Sequence, residues 1–133
     1  MIQYKSGYKY QLYADYTIEL PWLDGYPDYS DHFLTVSGSK LTMHKGYAWD
    51  GASGGLDTKT AMRGSLVHDA LYQLMRMGVL PQAVRPMVDR ALYDICLDDG
   101  MMRIRAWAWR VAVVKVGGLA ARFTEDHKVK TAP

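Results

Sequence analysis

The order of apolar and polar positions divides the chain into three zones. In the first, roughly Met1–Trp49, residues alternate at period two in Tyr8-Lys9-Tyr10-Gln11-Leu12 and in Thr17-Ile18-Glu19-Leu20. Aromatic and β-branched side chains at that period predict strands. Pro21, Asp24-Gly25 and Pro27-Asp28 predict a loop. Phe33-Leu34-Thr35-Val36 and Lys40-Leu41-Thr42-Met43, joined by Ser37-Gly38-Ser39, predict a β-hairpin. The second zone runs from Lys45 to Leu56 and holds four glycines in a dozen residues. Such a segment holds regular structure poorly, and its backbone can approach a ligand or ion closely.

The third zone has helical periodicity. Asp57 or Thr58 is the expected N-cap of a helix running through Met62, Leu66, Ala70 and Leu74 to about Met77, where Gly78 ends it. Pro81 suits the first turn of a second helix, which continues through Val84, Val88, Leu92 and Cys96 to Asp99. Pro86 is expected to delay the start of that helix or to kink it. After Gly100 a third helix is expected over roughly Met102–Ala121, with Gly117-Gly118 as a weak point. Its apolar run from Ala106 to Val116 contains Arg110 and Lys115. That is too short and too charged for a membrane span. Projected around the whole helix, the basic residues leave no clean amphipathic stripe. The expectation is burial against the rest of the domain with the basic side chains reaching outward. Trp107 and Trp109 are then packing residues. The pattern as a whole predicts an α+β fold: a small N-terminal antiparallel sheet followed by a three-helix C-terminal part. It reads as one domain over 1–133, with a β-rich segment over 1–49, a glycine-rich loop over 50–57, a helical segment over 58–123 and a tail over 124–133.

Composition changes this picture in three ways. A content of 49% hydrophobic and 23% charged residues in 133 excludes a disordered chain. The one cysteine, Cys96, excludes a disulfide framework and a multi-cysteine zinc site, and suits a reducing compartment. The opening residues Met1–Lys5 lack the apolar stretch of a signal peptide. Net charge is +2 but uneven: residues 1–100 carry 9 basic against 12 acidic residues, and residues 101–133 carry 7 against 2. The basic end suits an anionic or membrane surface, or a solvated tail. Nucleic acid is not an expected partner.

The residues that can carry chemistry are His68-Asp69-Ala70-Leu71-Tyr72 on the first helix and Asp89 on the second. His68 and Tyr72 are four apart and share a face. His68 lies nine residues before Met77, and Asp89 eight residues after Pro81. In an antiparallel hairpin the two therefore reach the same level, about 12–14 Å from the turn. A neutral imidazole can take a proton from water, provided an acceptor on its other nitrogen fixes the tautomer; Asp89 suits that role. Tyr72 can donate its hydroxyl to Asp89. Asp69 faces a neighbouring side, where it could join carbonyl oxygens of the glycine-rich loop, and Asp50, to hold Ca²⁺. The competing reading is a structural polar network that fixes packing. Asp94, Asp98 and Asp99 read as a solvated face, His32, His44 and His127 as loop or surface positions, and Cys96 as core beside Leu92.

Gly46-Tyr47-Ala48-Trp49-Asp50-Gly51-Ala52-Ser53, then Leu66-Val67-His68-Asp69-Ala70-Leu71-Tyr72, then Val88-Asp89-Arg90-Ala91-Leu92 together resemble a phage and prophage family of unknown function. The resemblance covers roughly residues 40–115 and implies a phage or prophage origin, with the host cytoplasm or the virion as its place. A more distant resemblance is to phospholipase A2, which sets His-Asp-x-x-Tyr on one helix and an aspartate on its antiparallel partner. It implies His68 as general base, Asp69 as calcium carboxylate, Tyr72 and Asp89 as its supporting pair, and Asp50-Gly51-Ala52-Ser53 in the place of the calcium loop. The disulfides of that superfamily are absent here, and Leu66-Val67 replaces its cysteine-flanked segment.

Three functions follow as expectations. The first is a small phage-encoded hydrolase acting on an ester of lipid or another envelope component, with a His68–Asp89 dyad and Ca²⁺ as a possible cofactor. The second is a non-enzymatic phage structural or assembly protein, bound to other phage proteins through a tyrosine-rich sheet; seven of the ten tyrosines precede residue 30. The third is a metal-dependent phosphohydrolase, which needs a further upstream histidine ligand on a helix.

Overall fold

The computed structural model describes residues 4–5, 10–49, 59–108 and 110–111. They fall into two compact units divided after residue 50, the first holding every strand and the second the helical hairpin. The architecture is α+β, with antiparallel strands followed by helices.

In the first unit seven short strands form two sheets. They are β1 (Tyr4–Lys5), β2 (Tyr10–Leu12), β3 (Tyr16–Glu19), β4 (Tyr29–Ser30), β5 (Leu34–Ser37), β6 (Lys40–Met43) and β7 (Ala48–Trp49). One sheet has the order β1-β2-β7 and the other β3-β6-β5-β4. The sequence pattern suggests a single small sheet; the two arise because the chain bends at Tyr13-Ala14 and strand pairing starts afresh at Tyr16. The β5–β6 hairpin closes at Gly38-Ser39, with Ser37 opposite Lys40. Gly38 has φ +59° while no described non-glycine residue has positive φ, so a residue without Cβ is required at that first turn position. Period-two alternation then sorts the four-stranded sheet into two faces. Leu34, Val36, Leu41 and Met43 are fully buried on one. On the other, Thr17, Thr42, Thr35 and Ser30 face one another strand by strand. Each fully buried leucine, valine or methionine contributes about 1.5–3 kcal/mol.

In the second unit α1 (Lys59–Arg76) and α2 (Arg85–Asp98) pack as an antiparallel hairpin. Both end alike. Gly78 N–H donates to Met75 O and Val79 N–H to Leu74 O after α1; Gly100 N–H donates to Leu97 O and Met101 N–H to Cys96 O after α2. Each is a Schellman closure on a left-handed glycine. Residues 82–84 form a 3₁₀ turn, and α2 begins at Arg85, later than Pro81. Pro86 has no N–H to give and fits only in a first turn, where none is needed, so it fixes that start.

The helices approach most closely at Gly64. A Cβ there would lie 2.8 Å from Cys96 Sγ and 3.0 Å from Leu92 Cδ1. Arg63 reaches Asp99 through both carboxylate oxygens, at 2.9–3.2 Å, and ties the start of α1 to the end of α2. Asp99 is thus paired rather than part of a solvated face, while Asp94 meets Arg90 at the surface. Leu92, Cys96, Met101 and Ala106 form one buried cluster, with Tyr93 and Leu97 packed against it.

Residues 103–108 and 110–111 are helical. The expected burial of this segment does not hold where it is described: Ile104 is 74% and Trp107 58% exposed, and Trp107 is no packing residue. The reason is that Ala106, the small residue on the opposite side, is the one that enters the cluster. The remainder of the expected third helix, with Trp109, and the tail 124–133 lie outside the described residues.

Candidate active site

Four residues of the helical hairpin converge. α1 sets His68 and Tyr72, four apart, on one side, and Asp69, three before Tyr72, on the neighbouring side. α2 brings Asp89 to their level, as the count from the turn requires. His68 Nε2 lies 2.9 Å from Asp89 Oδ1, and the Tyr72 hydroxyl donates to the same oxygen at 2.9 Å. The His68 and Tyr72 rings lie against each other, centroids 4.2 Å apart and tilted by 31°.

Burial is graded across this group. Asp89 is 1% exposed, the His68 side chain 11% and Asp69 35%. The solvent edge of the pair is therefore the imidazole and not its carboxylate partner. A carboxylate accepts, so Nε2 is the donor to Asp89, and in a neutral imidazole the lone pair then falls on Nδ1. Among the described residues Nδ1 has no hydrogen bond; Asp69 Oδ1 stands 4.0 Å away, beyond bonding range. Burial, reinforced by the bond to Asp89 and by its charge, pushes Tyr72 well above the ordinary phenol range, against a smaller pull from Arg85. Tyr72 thus remains a hydroxyl donor at any physiological pH. Asp89 Oδ2 is buried with no hydrogen-bond partner among the described residues.

The metal side of the expected site is less complete. Asp69 offers one half-exposed carboxylate on the Nδ1 side. Calcium takes about six to eight oxygens. Among the described residues no group of three acidic, histidine or cysteine side chains gathers to hold an ion. Asp50, Gly51 and Ser53, expected to complete the set, lie outside the described residues. Asp69 alone does not make a calcium site.

A second constellation escaped the sequence reading. His44 Nδ1 donates to Asp15 Oδ2 at 3.2 Å, and His44 Nε2 lies 2.8 Å from Thr35 Oγ1. Thr35 also meets Ser30 Oγ at 3.0 Å. Hydroxyl, imidazole and carboxylate follow the order found in nucleophilic hydrolases. Here Asp15 is more than half exposed on a sheet face, and its other oxygen accepts from the Lys45 N–H. The bond from Lys45, then that from His44, holds Asp15 below its ordinary value. The group clasps the ends of β3, β5 and β6 together. Asp15 and His44 are 29 residues apart, so only sheet register joins them; the signal was His44 standing two residues beyond Thr42, on the same face. His32 stacks edge-on against Phe33.

Comparison with protein-family models, with curated proteins and with solved structures finds no match.

Proposed function

We propose that this chain is a small hydrolase of phage origin in which His68 activates water against an ester, lipid esters being the favoured class. The observation that carries the reading is the polarity of the pair: Nε2 engaged by buried Asp89 at 2.9 Å, Nδ1 unbonded among the described residues, on a side chain that keeps 11% exposure. The two motif resemblances, to the phage family and to phospholipase A2, support it.

The step balances with the chain's own groups. Water gives a proton to His68 Nδ1 while its oxygen attacks the ester carbonyl. The tetrahedral intermediate then collapses, and the departing alkoxide takes the proton back from Nδ1, leaving acid and alcohol. Asp89 holds the ring and stabilises the imidazolium between these events. Tyr72 holds Asp89. Ca²⁺, if bound by Asp69 with Asp50, Gly51 and Ser53 of the loop, would polarise the carbonyl.

The test is hydrolysis of monomeric and vesicle-borne esters by the full chain, with folding checked by circular dichroism. His68→Gln should lower the rate about 100- to 10,000-fold, the range a general base supplies. An unchanged rate in that variant overturns the proposal. A chelator that abolishes the wild-type rate would support the Asp69 assignment; an indifferent rate removes calcium from it. The scaffold reading draws on a different observation, the 55% exposure of Tyr13 beside β2. It gains if no ester is cleaved and Tyr13→Ser blocks particle assembly.

A further inference from the structure

The described portion of the third helical segment carries an apolar face that the hydrolase reading leaves unused. At about 100° per residue, Ile104, Trp107 and Ala108 fall within about 100° of arc. Ala106 points the opposite way, into the buried cluster with Leu92, Cys96 and Met101. The arc therefore faces outward: Ile104 at its middle is 74% exposed, Trp107 at one edge 58%, and Ala108 at the other edge is exposed too. Arginines flank the arc on both sides, Arg105 on one, Arg103 and Arg110 on the other. Arg110 stands 5.8 Å over the Tyr93 ring. Residues 101–111 include three arginines and no acidic residue.

We infer that this face docks on an anionic lipid surface. An apolar stripe between two basic borders is the arrangement by which a helix lies in a membrane interface: apolar side chains enter the acyl boundary and arginines meet the phosphates. A tryptophan suits that depth, having an apolar body and a polar N–H. The charge argues for an anionic lipid over a neutral one, and the excess of 7 basic over 2 acidic residues from 101 onward adds to it. Among the described residues no helix is long and apolar enough to cross a membrane, so the contact proposed is peripheral. It does not depend on His68 being catalytic.

Co-sedimentation of the full chain with phosphatidylglycerol–phosphatidylcholine vesicles tests it, beside vesicles of phosphatidylcholine alone. The expected result is binding to the anionic vesicles that weakens as salt rises, with little binding to the neutral ones. Ile104→Ser with Trp107→Ser should reduce partition at least about tenfold, with an unchanged circular dichroism spectrum because both side chains are exposed. Arg103→Glu, also exposed, should weaken anionic binding alone. Undiminished binding in the double variant overturns the inference, as does equal binding to neutral vesicles or none to either. Light scattering that shows a dimer dispersed by the same double substitution would instead assign the face to a second copy of the chain and overturn the lipid assignment. The readout is binding, so it stands or falls whatever His68 does.

Discussion

Single side chains with several partners set the local energetics. Asp31 is one: its Oδ1 accepts from the N–H groups of Phe33 and Leu34 at 2.7 and 2.8 Å, and its Oδ2 from the Tyr29 hydroxyl at 2.6 Å. Burial pushes Asp31 up, but the bonds from Tyr29, Leu34 and Phe33 outweigh it and hold it below 3.8. The bond to Asp31, with burial and its charge, pushes Tyr29 up to about 12. A carboxyl whose folded value is depressed stabilises the fold above its ordinary pKa, and that stability is lost as pH falls through the folded value. Thermal melting should therefore weaken as pH drops below 3.8. Asp31→Ala should cost about 1–2 kcal/mol at pH 7 and show a flatter acid limb. In the hairpin, Tyr72→Phe removes one donor from a carboxylate whose other oxygen has no partner among the described residues. A loss of about 1–3 kcal/mol in chemical denaturation is expected.

At the scale of elements, the antiparallel pairing of α1 and α2 was legible in advance because helical rise converts residue counts into height. Nine residues before one turn and eight after it is enough to match His68 with Asp89. The hairpin at Gly38 and the helix stops at Gly78 and Gly100 were legible for a like reason, since positive φ selects glycine. Gly64 was not: a glycine inside a helix reads as a mild defect until its neighbour across the interface is known. Gly64→Ala should improve intrinsic helix propensity by about 1 kcal/mol, yet lower net stability by about 1–3 kcal/mol, because the added methyl meets Cys96 Sγ at 2.8 Å. Cys96→Ala in the same chain should restore part of the loss, and a double-mutant cycle by urea denaturation measures that coupling. The outward face carried by Ile104, Trp107 and Ala108 was also hidden. Averaged over a longer helix, the basic positions scatter; the stripe emerges once Ala106 fixes which side turns inward.

Across the whole chain, the His68–Asp89 pair and the hydroxyl-rich sheet face belong to different units, and one residue reports on the helical one. Cys96 is the only cysteine, it is buried, and burial first, then Asp99, pushes its thiol up to about 11. Alkylation of the native protein at pH 8 should be slow and limited by opening of the hairpin, then become fast in denaturant. Gly64→Ala should accelerate it in parallel with its loss of stability, a comparison that mass spectrometry makes directly. One further consequence comes from the seam itself. Asp89, Leu92 and Cys96 recur along α2 at intervals of three and four, and Gly64 and His68 are four apart on α1, so a single line of contact sets both the adhesion of the helices and the spacing of His68 from Asp89. A change of side-chain volume at Gly64 or Cys96 should then do two things at once: loosen the helix pair and, one turn along, alter the 2.9 Å reach from His68 to Asp89.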